Sequence, residues 1–170
     1  MSPEIVKALK GPTLGVGVRS FVYAVDNNWV VKRMTDECDG FHAIVGMGPK
    51  FAERFSLPRI DYARSDIDEG IIVIERLYRS DWDYWEGSDD VHNRMNDLHH
   101  NPDVLGKNFK VEDFLENDHP LYDITLKAFK AWKLLRRIGW HVSIDLNPSN
   151  IMVRKNGELV LSDPFGYLDI

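Results

Sequence analysis

The stretch SIDLNPSNIMVRKNGELVLSD, residues 143–163, restricts what this chain can fold into more than any other segment. NIMVR and ELVLSD are apolar runs on either side of Lys-Asn-Gly, and Asn-Gly supplies the positive φ angles of a tight hairpin turn. Pro148 favours a loop rather than a helix in the DLNPSN segment that precedes the first run. A hairpin brings its two ends together, so Asn150 and Asp163 are expected to be neighbours.

Polar residues at the joints of this hairpin indicate a metal site. An amide oxygen and a carboxylate suit Mg²⁺, a hard cation that keeps several waters and shares the phosphates of a substrate. The spacing therefore predicts that Asn150 and Asp163 hold Mg²⁺, while Asp145 points at the group that attacks. The alternative interpretation is that all three residues only cap turns.

Length and charge limit the class of protein. A chain of 170 residues with 44% hydrophobic content fits one compact domain, residues 1–170. Its net charge of -6 argues against bulk attraction to nucleic acid or to an anionic membrane. Cys38 is the only cysteine, and no apolar run approaches the roughly 20 residues of a membrane span. The N-terminus does not resemble a signal peptide, so we expect a cytoplasmic protein.

Strand signals dominate the first half of the chain. FVYAV and WVVKRM are predicted to form a hairpin through Asp-Asn-Asn, and RIDYARSD and GIIVIERL a second strand pair. TDECDGFHAIVGM predicts a short helix capped by Thr35 or Asp36. MSPEIVKALKG predicts another helix, which begins after Ser2 and ends by Gly11.

The second half contains the clearest helix, LYDITLKAFKAWKLLRRIGW, which Gly139 ends. Residues 81–123 are acidic and lack a long periodic stretch, so short helices and loops are expected there. WHVSI predicts a short strand. The mixed order of these elements predicts an α+β fold. The apolar stripe of the long helix consists of Leu121, Ile124, Ala128, Trp132, Leu135 and Ile138.

A glycine-containing segment and a strand lysine add a possible phosphate site. Gly15 and Gly17 in LGVGVRSFVY have no Cβ, so backbone amides there can approach a phosphate closely. Such a pair alone is also typical of an ordinary turn. Lys32 interrupts the apolar strand WVVKRM, and it either faces solvent or faces the glycines, where it would hold phosphate oxygens.

Taken together, LGVGVRSFVY, VVK, VIERL, DLNPSN and DPFG resemble the motifs of the protein-kinase-like superfamily. The resemblance runs from residue 14 to 166, and the compact length is most similar to the early serine/threonine kinases of T7-like bacteriophages. It implies a minimal bilobal fold. Residues 1–77 would form an N-lobe with an antiparallel sheet, one helix and the hinge. Residues 78–170 would form a truncated, mainly helical C-lobe that carries the catalytic-loop hairpin.

The resemblance also implies a role for each motif residue. ATP and Mg²⁺ would be the cofactors, Asp145 the catalytic base and Lys32 the residue that binds the ATP phosphates. Asn150 and Asp163 would be the metal ligands. Glu37, or else Asp39, would pair with Lys32. The nucleotide would contact Gly15, Gly17, Val22, Lys32, the gatekeeper Ile74, and the hinge from Glu75 to Leu77.

Several positions depart from the family pattern. Ser143 and Ile144 stand where kinases usually carry His-Arg, and Asn147 stands where many protein kinases have a lysine. Pro164 replaces the usual phenylalanine. The helical platform that receives substrate in larger kinases has no counterpart in the sequence, so the acidic stretch 81–123 would contact a basic protein instead, or would only be a soluble loop region.

Two hypotheses follow for the function. The first is a phosphotransferase that passes the γ-phosphoryl group of ATP to a serine or threonine of a host or cellular protein, with a small-molecule kinase as a variant. The second is a non-catalytic kinase-like module that inhibits a protein partner. The expected target is a protein, for example a basic enzyme that itself binds nucleic acid, and direct contact with nucleic acid or membrane is not expected.

The scattered residues His92, His99, His100 and His119 are interpreted as surface histidines rather than zinc ligands.

Overall fold

The structure is a computed structural model of the 170-residue chain, and it describes residues 1–17, 19–35, 40–80, 110–113 and 115–167. An antiparallel four-stranded sheet forms its N-terminal half. The strands are β1 Thr13–Gly17, β2 Ser20–Ala24, β3 Trp29–Met34 and β4 Ile71–Glu75, in the spatial order β1-β2-β3-β4. The predicted hairpin of β2 and β3 is confirmed. Asp26 holds its turn, because its carboxylate accepts the N–H groups of Asn28 at 2.6 Å and Trp29 at 2.9 Å.

One face of this sheet is covered by the first helix, α1 Pro3–Ala8, which begins after Ser2 as predicted. Ile5 is fully buried and packs with Val31 and Val73 of the sheet. Arg64 fixes the helix from outside, with its guanidinium 3.2 Å from Glu4 and 2.8 Å from Asp61. The helix is thus held by apolar burial and by one shared cation.

The opposite face packs against α2 Phe41–Met47 and α3 Pro49–Arg54. The helix predicted within TDECDGFHAIVGM is therefore shorter than expected, and its N-cap is Gly40. Thr35 lies outside the helix, and the other proposed cap, Asp36, lies outside the described residues. The sequence also missed α3, which begins at a proline.

The predicted second strand pair is wrong in its first half. Only β4 is a regular strand, and residues 59–66 meet it through isolated bridges of Ile60 to Ile74 and Asp66 to Ile71. Asp61 explains the difference. Its carboxylate accepts the N–H of Ala63 at 3.2 Å, and its carbonyl accepts the N–H of Ser65 at 3.1 Å, so the chain turns instead of extending.

The C-terminal half contains one long helix and short strands in its described part. The helix α4 spans Tyr122–Arg137, as predicted. Its C-cap Ile138 is 51% exposed, so the buried apolar stripe ends at Leu135 and does not reach Ile138 as expected. Gly139 then has a φ of 100°, which favours glycine. The remaining strands are β5 Tyr78–Arg79, β6 Val142–Ile144, β7 Ile151–Val153, β8 Leu159–Leu161 and β9 Phe165–Tyr167, with 3-10 turns at Val111–Asp113 and Pro148–Asn150.

These strands form two small sheets, one in the order β5-β7-β8 and one that pairs β6 with β9. The predicted hairpin around Lys-Asn-Gly is confirmed as β7–β8. Trp132 joins α4 to β6, because its indole N–H donates to the carbonyl of Val142 at 2.8 Å. One apolar core extends from α2, α3 and β4 to α4 and the C-terminal strands, so the two halves share a single interior.

The α+β class with an antiparallel N-terminal sheet is confirmed. In the described part of the second half, strands are as prominent as helix, which differs from the mainly helical expectation. No helix in the described ranges is both long and apolar enough to cross a membrane.

Candidate functional site

A cavity of about 550 Å³ lies between the N-terminal sheet and the β7–β8 hairpin. The β1–β2 hairpin with its glycines forms one wall, and the ends of β7 and β8 form the facing wall. Most of the residues expected to bind nucleotide or metal therefore meet in one place, although they come from both ends of the chain. Those that line the cavity are Gly15, Gly17, Val22, Lys32, Ile74, Glu75, Leu77, Asn150 and Asp163.

Lys32 and Asp163 form an ion pair at this cavity. Lys32 is only 3% exposed, and its Nζ lies 2.8 Å from Oδ2 of Asp163. The same Nζ lies 4.3 Å from the ring centroid of Phe41, the first residue of α2. A buried charge costs several kcal/mol unless it is paired, and the carboxylate and the aromatic face offset that cost here. The alternation of β3 explains the placement, since Lys32 is buried and its neighbour Arg33 is exposed.

Asn150 and Asp163 are brought together by the root of the β7–β8 hairpin. The carbonyl of Asn150 accepts the backbone N–H of Ser162 at 2.7 Å and its hydroxyl at 3.1 Å. Ile151 pairs with Leu161 in the next register position. The proximity expected from the hairpin is therefore present, and an amide side chain and a carboxylate border the same cavity.

Asp145 is exposed and stands beside the residues that line the cavity rather than among them. Its backbone N–H donates to the carbonyl of Pro164 at 2.7 Å, and the amide group of Asn150 donates to the carbonyl of Asp145 at 3.3 Å. Oδ1 of Asp145 also accepts the N–H of Asn147 at 3.2 Å. Asp145 thus caps a turn, as the alternative interpretation holds. Its backbone is also bonded to Asn150 and to Pro164, which follows Asp163.

Asn147 has a structural role that a lysine could not fill. Its Oδ1 accepts both the N–H of Ser149 at 3.0 Å and the hydroxyl of Ser149 at 2.8 Å. A lysine has no acceptor atom, so it could not make this turn. The departure from the family pattern at this position is therefore built into the local geometry of the loop.

The described helix α2, Phe41–Met47, contains no acidic residue that could pair with Lys32. Glu37 and Asp39 both lie outside the described residues, so neither pairing is tested. Within the described ranges, the carboxylate that meets Lys32 is that of Asp163.

Glu75, expected at the hinge, is buried and bound by two arginines that sequence reasoning did not assign to the site. Its carboxylate accepts hydrogen bonds from the side chains of Arg59 and Arg154 at 2.7–3.1 Å. Burial raises the pKa of Glu75, but the hydrogen bonds from Arg154 and Arg59 outweigh it and leave that pKa below the usual value. The carboxylate is therefore committed to the protein, and so is the backbone N–H of Glu75, which donates to the carbonyl of Arg59 at 2.9 Å.

Several further cavity residues also escaped prediction from the sequence, and two of them come from the β7–β8 segment. Met152 and Ser162 line the cavity from β7 and from the link after β8. Met152 could have been found from the predicted hairpin, because every second residue of a strand faces the same side. Phe41, by contrast, gave no local indication that it would contact Lys32.

The residues present fit a magnesium–nucleotide complex better than a metal held by the protein alone. Among the described residues, no three His, Cys, Asp or Glu side chains cluster closely enough to hold a metal ion. Asn150 and Asp163 supply two side chains with oxygen ligands at the cavity. Mg²⁺ is commonly bound in this way, by one or two protein side chains together with substrate phosphates and waters.

The segment that carries Asp163 packs tightly against the start of α2. A Cβ placed on Gly40 would lie 2.6 Å from the carbonyl carbon of Phe165 and 3.1 Å from its Cβ. Real Cβ atoms do not approach backbone this closely, so only glycine allows the contact. Gly40 thereby holds Phe165, and with it the neighbouring Asp163, against the N-terminal half.

Gly40→Ala is expected to lower the free energy of unfolding by about 1–3 kcal/mol, the usual cost of overpacking. The melting temperature of the unliganded protein should fall by several degrees. Gly15→Ala is the matched control, because a Cβ at Gly15 meets no atom within 4 Å. Equal melting temperatures for the two variants would contradict the proposed contact.

Comparisons with known proteins find only distant similarity to this chain. No family model matches the chain, and no curated protein sequence matches it. Among solved structures, the GDP and kanamycin complex of APH(2")-IIIa is 16% identical with a TM-score of 0.39, covering 90% of this chain and 68% of the other. A GDP complex of a mutant aminoglycoside 2'-phosphotransferase-IIIa is 16% identical with a TM-score of 0.39, covering 92% and 63%.

A choline/ethanolamine kinase family protein from Mesorhizobium loti is 14% identical with a TM-score of 0.36, and the match covers 94% of this chain and 58% of that one. The chain thus spans less than two thirds of the length of two of these three structures. Since TM-scores below 0.5 do not establish a common fold, we base no functional inference on these matches.

Proposed function

We propose that this protein is an ATP- and Mg²⁺-dependent phosphotransferase. The observation that carries the proposal is the ion pair of the buried Lys32 with the partly exposed Asp163, at a cavity walled by the glycine-containing β1–β2 hairpin. A fixed cation beside a carboxylate and an amide matches the charge pattern of a nucleotide's phosphates with their metal ion. The volume of about 550 Å³ lies within the range of small-molecule sites.

Each residue has a distinct role in this proposal. Lys32 holds phosphate oxygens as a point charge, while Asn150 and Asp163 would hold Mg²⁺, which supplies neutralisation of charge on the transferring group. Asp145, exposed beside the cavity, orients the acceptor hydroxyl and takes its proton as that oxygen attacks the γ-phosphorus and the bond to ADP breaks. Leu14 and Val16, which are 51% and 68% exposed, provide apolar surface at the cavity.

The acceptor we favour is a serine or threonine of a host or cellular protein, in a bacteriophage-type kinase of the cytoplasm. Support for this finer assignment comes from the motif resemblance, from the single cysteine and from the negative net charge of -6, which suits a basic protein target. A small-molecule hydroxyl is the variant that fits the same site, since the proposed chemistry at Asp145 is identical.

The second candidate is a non-catalytic module that binds a protein partner. One observation favours it: Asn147 is committed to a turn at the position where a lysine would neutralise the transferring phosphate. A module of this kind could still bind nucleotide. The two candidates therefore differ in transfer rather than in binding.

Nucleotide binding is tested by thermal unfolding with and without Mg²⁺–ATP. A ligand at 100 times its Kd stabilises the folded state by about 2.7 kcal/mol, which for a chain of this size raises the melting temperature by roughly 5–10 °C. Lys32→Met should remove most of this rise. Arg33→Met is the matched control, because it removes a cation from the adjacent, exposed position of β3 and should leave the rise intact.

No rise at millimolar Mg²⁺–ATP would overturn the proposal. A rise that survives Lys32→Met would show that the nucleotide binds elsewhere. To separate the two candidates, radiolabelled ATP is then added with cell extract, and the label is followed on protein and on small molecules.

A further inference from the structure

We propose that Arg154 is a positioning residue that sets the separation of the two cavity walls. Through Glu75 it clamps the tip of the β7–β8 hairpin to the N-terminal sheet. The residues Arg59, Glu75 and Arg154 are called the clamp below. Its consequence for nucleotide affinity rests on the proposed function, but the mechanical role does not.

The clamp is buried and densely bonded around Glu75, which is 4% exposed at the end of β4. Oε1 of Glu75 accepts from Nε of Arg154 at 3.0 Å, from its terminal nitrogen at 2.7 Å and from the backbone N–H of Arg59 at 2.9 Å. Oε2 accepts from Nε of Arg59 at 2.9 Å. The Arg154 side chain is 14% exposed, whereas that of Arg59 is 70% exposed. The Arg154–Glu75 pair, which joins the two halves of the protein, is therefore better shielded from solvent than the Arg59–Glu75 pair.

Arg154 sits at the tip of the hairpin, directly after β7, and holds the tip in more than one way. Its backbone N–H donates to the carbonyl of Glu158 at 2.9 Å, which closes the turn. Its guanidinium also donates to the carbonyl of Leu57 at 3.2 Å, just after α3. Lys155 at the same tip reaches Asn28 in the β2–β3 turn at 3.1 Å. The tip is thus fixed to three separate segments of the N-terminal half.

The root of the same hairpin carries the candidate metal ligands. Asn150 directly precedes β7, and Asp163 follows β8 after one intervening residue. Each strand has 3 residues, so tip and root are separated by roughly 10 Å of paired strand. A short, fully paired hairpin moves as a unit. A tilt at the tip therefore changes the distance between Asn150 and the N-terminal sheet.

Electrostatics support a clamp that stays ionised. Burial lowers the pKa of Arg154, but its hydrogen bond and proximity to Glu75 outweigh this and raise it above the usual value. The pKa of Glu75 is shifted in the opposite direction, as described above. Both partners are therefore charged over the whole range of pH in which the protein would work.

Removing one partner alone would leave a buried charge and endanger folding, so both are neutralised together. The test variant is Glu75→Gln with Arg154→Met, which keeps the side-chain volumes similar. Arg59 remains solvated in it because most of its side chain is exposed. Glu158→Gln is the matched control, since it removes the half-exposed carboxylate on the other side of Arg154 and leaves the clamp intact. Arg154→Lys is a second, milder variant that keeps the charge but loses the forked geometry.

Two readouts separate the mechanical role from the function. Spin labels are placed at the exposed positions Thr13 on β1 and Lys130 on α4, in a Cys38→Ser background, and their distance distribution is measured by electron–electron double resonance. The Kd for Mg²⁺–ATP is measured by calorimetry on the same proteins. If about a tenth of the double-variant molecules keep the wild-type arrangement, the apparent Kd rises about tenfold.

We expect a broadened distance distribution and this rise in Kd for the double variant, a smaller change in both for Arg154→Lys, and wild-type behaviour for Glu158→Gln. A distribution as narrow as in the wild type would overturn the clamp, whatever happens to the melting temperature. A broadened distribution with unchanged Kd would overturn its role at the nucleotide site. If the distribution broadens in the double variant but the wild type binds no nucleotide, the clamp is supported and the proposed function is wrong.

Discussion

Asp163→Asn is expected to abolish the Mg²⁺-dependent part of ATP binding, and phosphate transfer with it. The substitution removes a negative charge from the proposed metal site and from the neighbourhood of Lys32, whose Nζ lies 2.8 Å away and is buried. A contact made by a charged group contributes about 1.5–3 kcal/mol, which is the size of the loss expected at the proposed metal site. Affinity for Mg²⁺–ATP should therefore fall by roughly 10²-fold or more.

The measurement is the rise in melting temperature with ATP, compared in Mg²⁺ and in a chelator. The wild type should show a larger rise with Mg²⁺, and Asp163→Asn should show the same small rise in both conditions. Asp123→Asn, in the exposed first turn of α4, is the control for loss of one carboxylate. A variant that keeps the full Mg²⁺-dependent rise would remove Asp163 from the metal site.

Asp145→Asn is expected to have the opposite profile, with binding kept and transfer lost. Asp145 is exposed beside the cavity, and the contacts that its backbone N–H and carbonyl make are unaffected by the change of side chain. An asparagine retains the side-chain oxygen that caps Asn147, so the loop should keep its shape. A positioned general base contributes roughly 10²–10⁴-fold to a rate, and transfer should fall by a factor in that range.

Single-turnover transfer of radiolabelled phosphate, alongside the Kd for Mg²⁺–ATP, tests this expectation. Two results would contradict it: a transfer rate within a few-fold of the wild type, or a loss of binding equal to that of Asp163→Asn. If the wild type binds Mg²⁺–ATP, transfers nothing, and Asp145→Asn still performs the biological task, the non-catalytic module is the better description.

Local signals explain why much of the fold could be predicted from the sequence. Asn-Gly between two apolar runs predicted the β7–β8 hairpin, and apolar residues that recur at steps of three and four predicted α4. The position of Lys32 in an alternating strand was enough to raise an inward-facing lysine as one of two possibilities. In each case the information lies within a few residues of the feature.

The features that could not be predicted depend on contacts between distant segments, or on polar side chains that compete with the strand for backbone hydrogen bonds. Glu75 and Arg154 are 79 positions apart, and nothing near either residue indicates the other. The strand expected before β4 was lost because Asp61 and Ser65 form a turn with their own polar groups. The ion pair of Lys32 and Asp163 spans 131 positions, and only the family resemblance placed the two residues at one site.

That last separation has a consequence for how the protein becomes functional. Contacts between distant residues form late, because the entropy of closing a long loop must be overcome before they stabilise anything. A newly made chain can build the β2–β3 hairpin and α4 early, yet the proposed phosphate site is incomplete until Asp163 has joined Lys32. We therefore expect the cavity to be assembled late in folding, and under the proposed function partly folded molecules should be unable to bind or consume nucleotide.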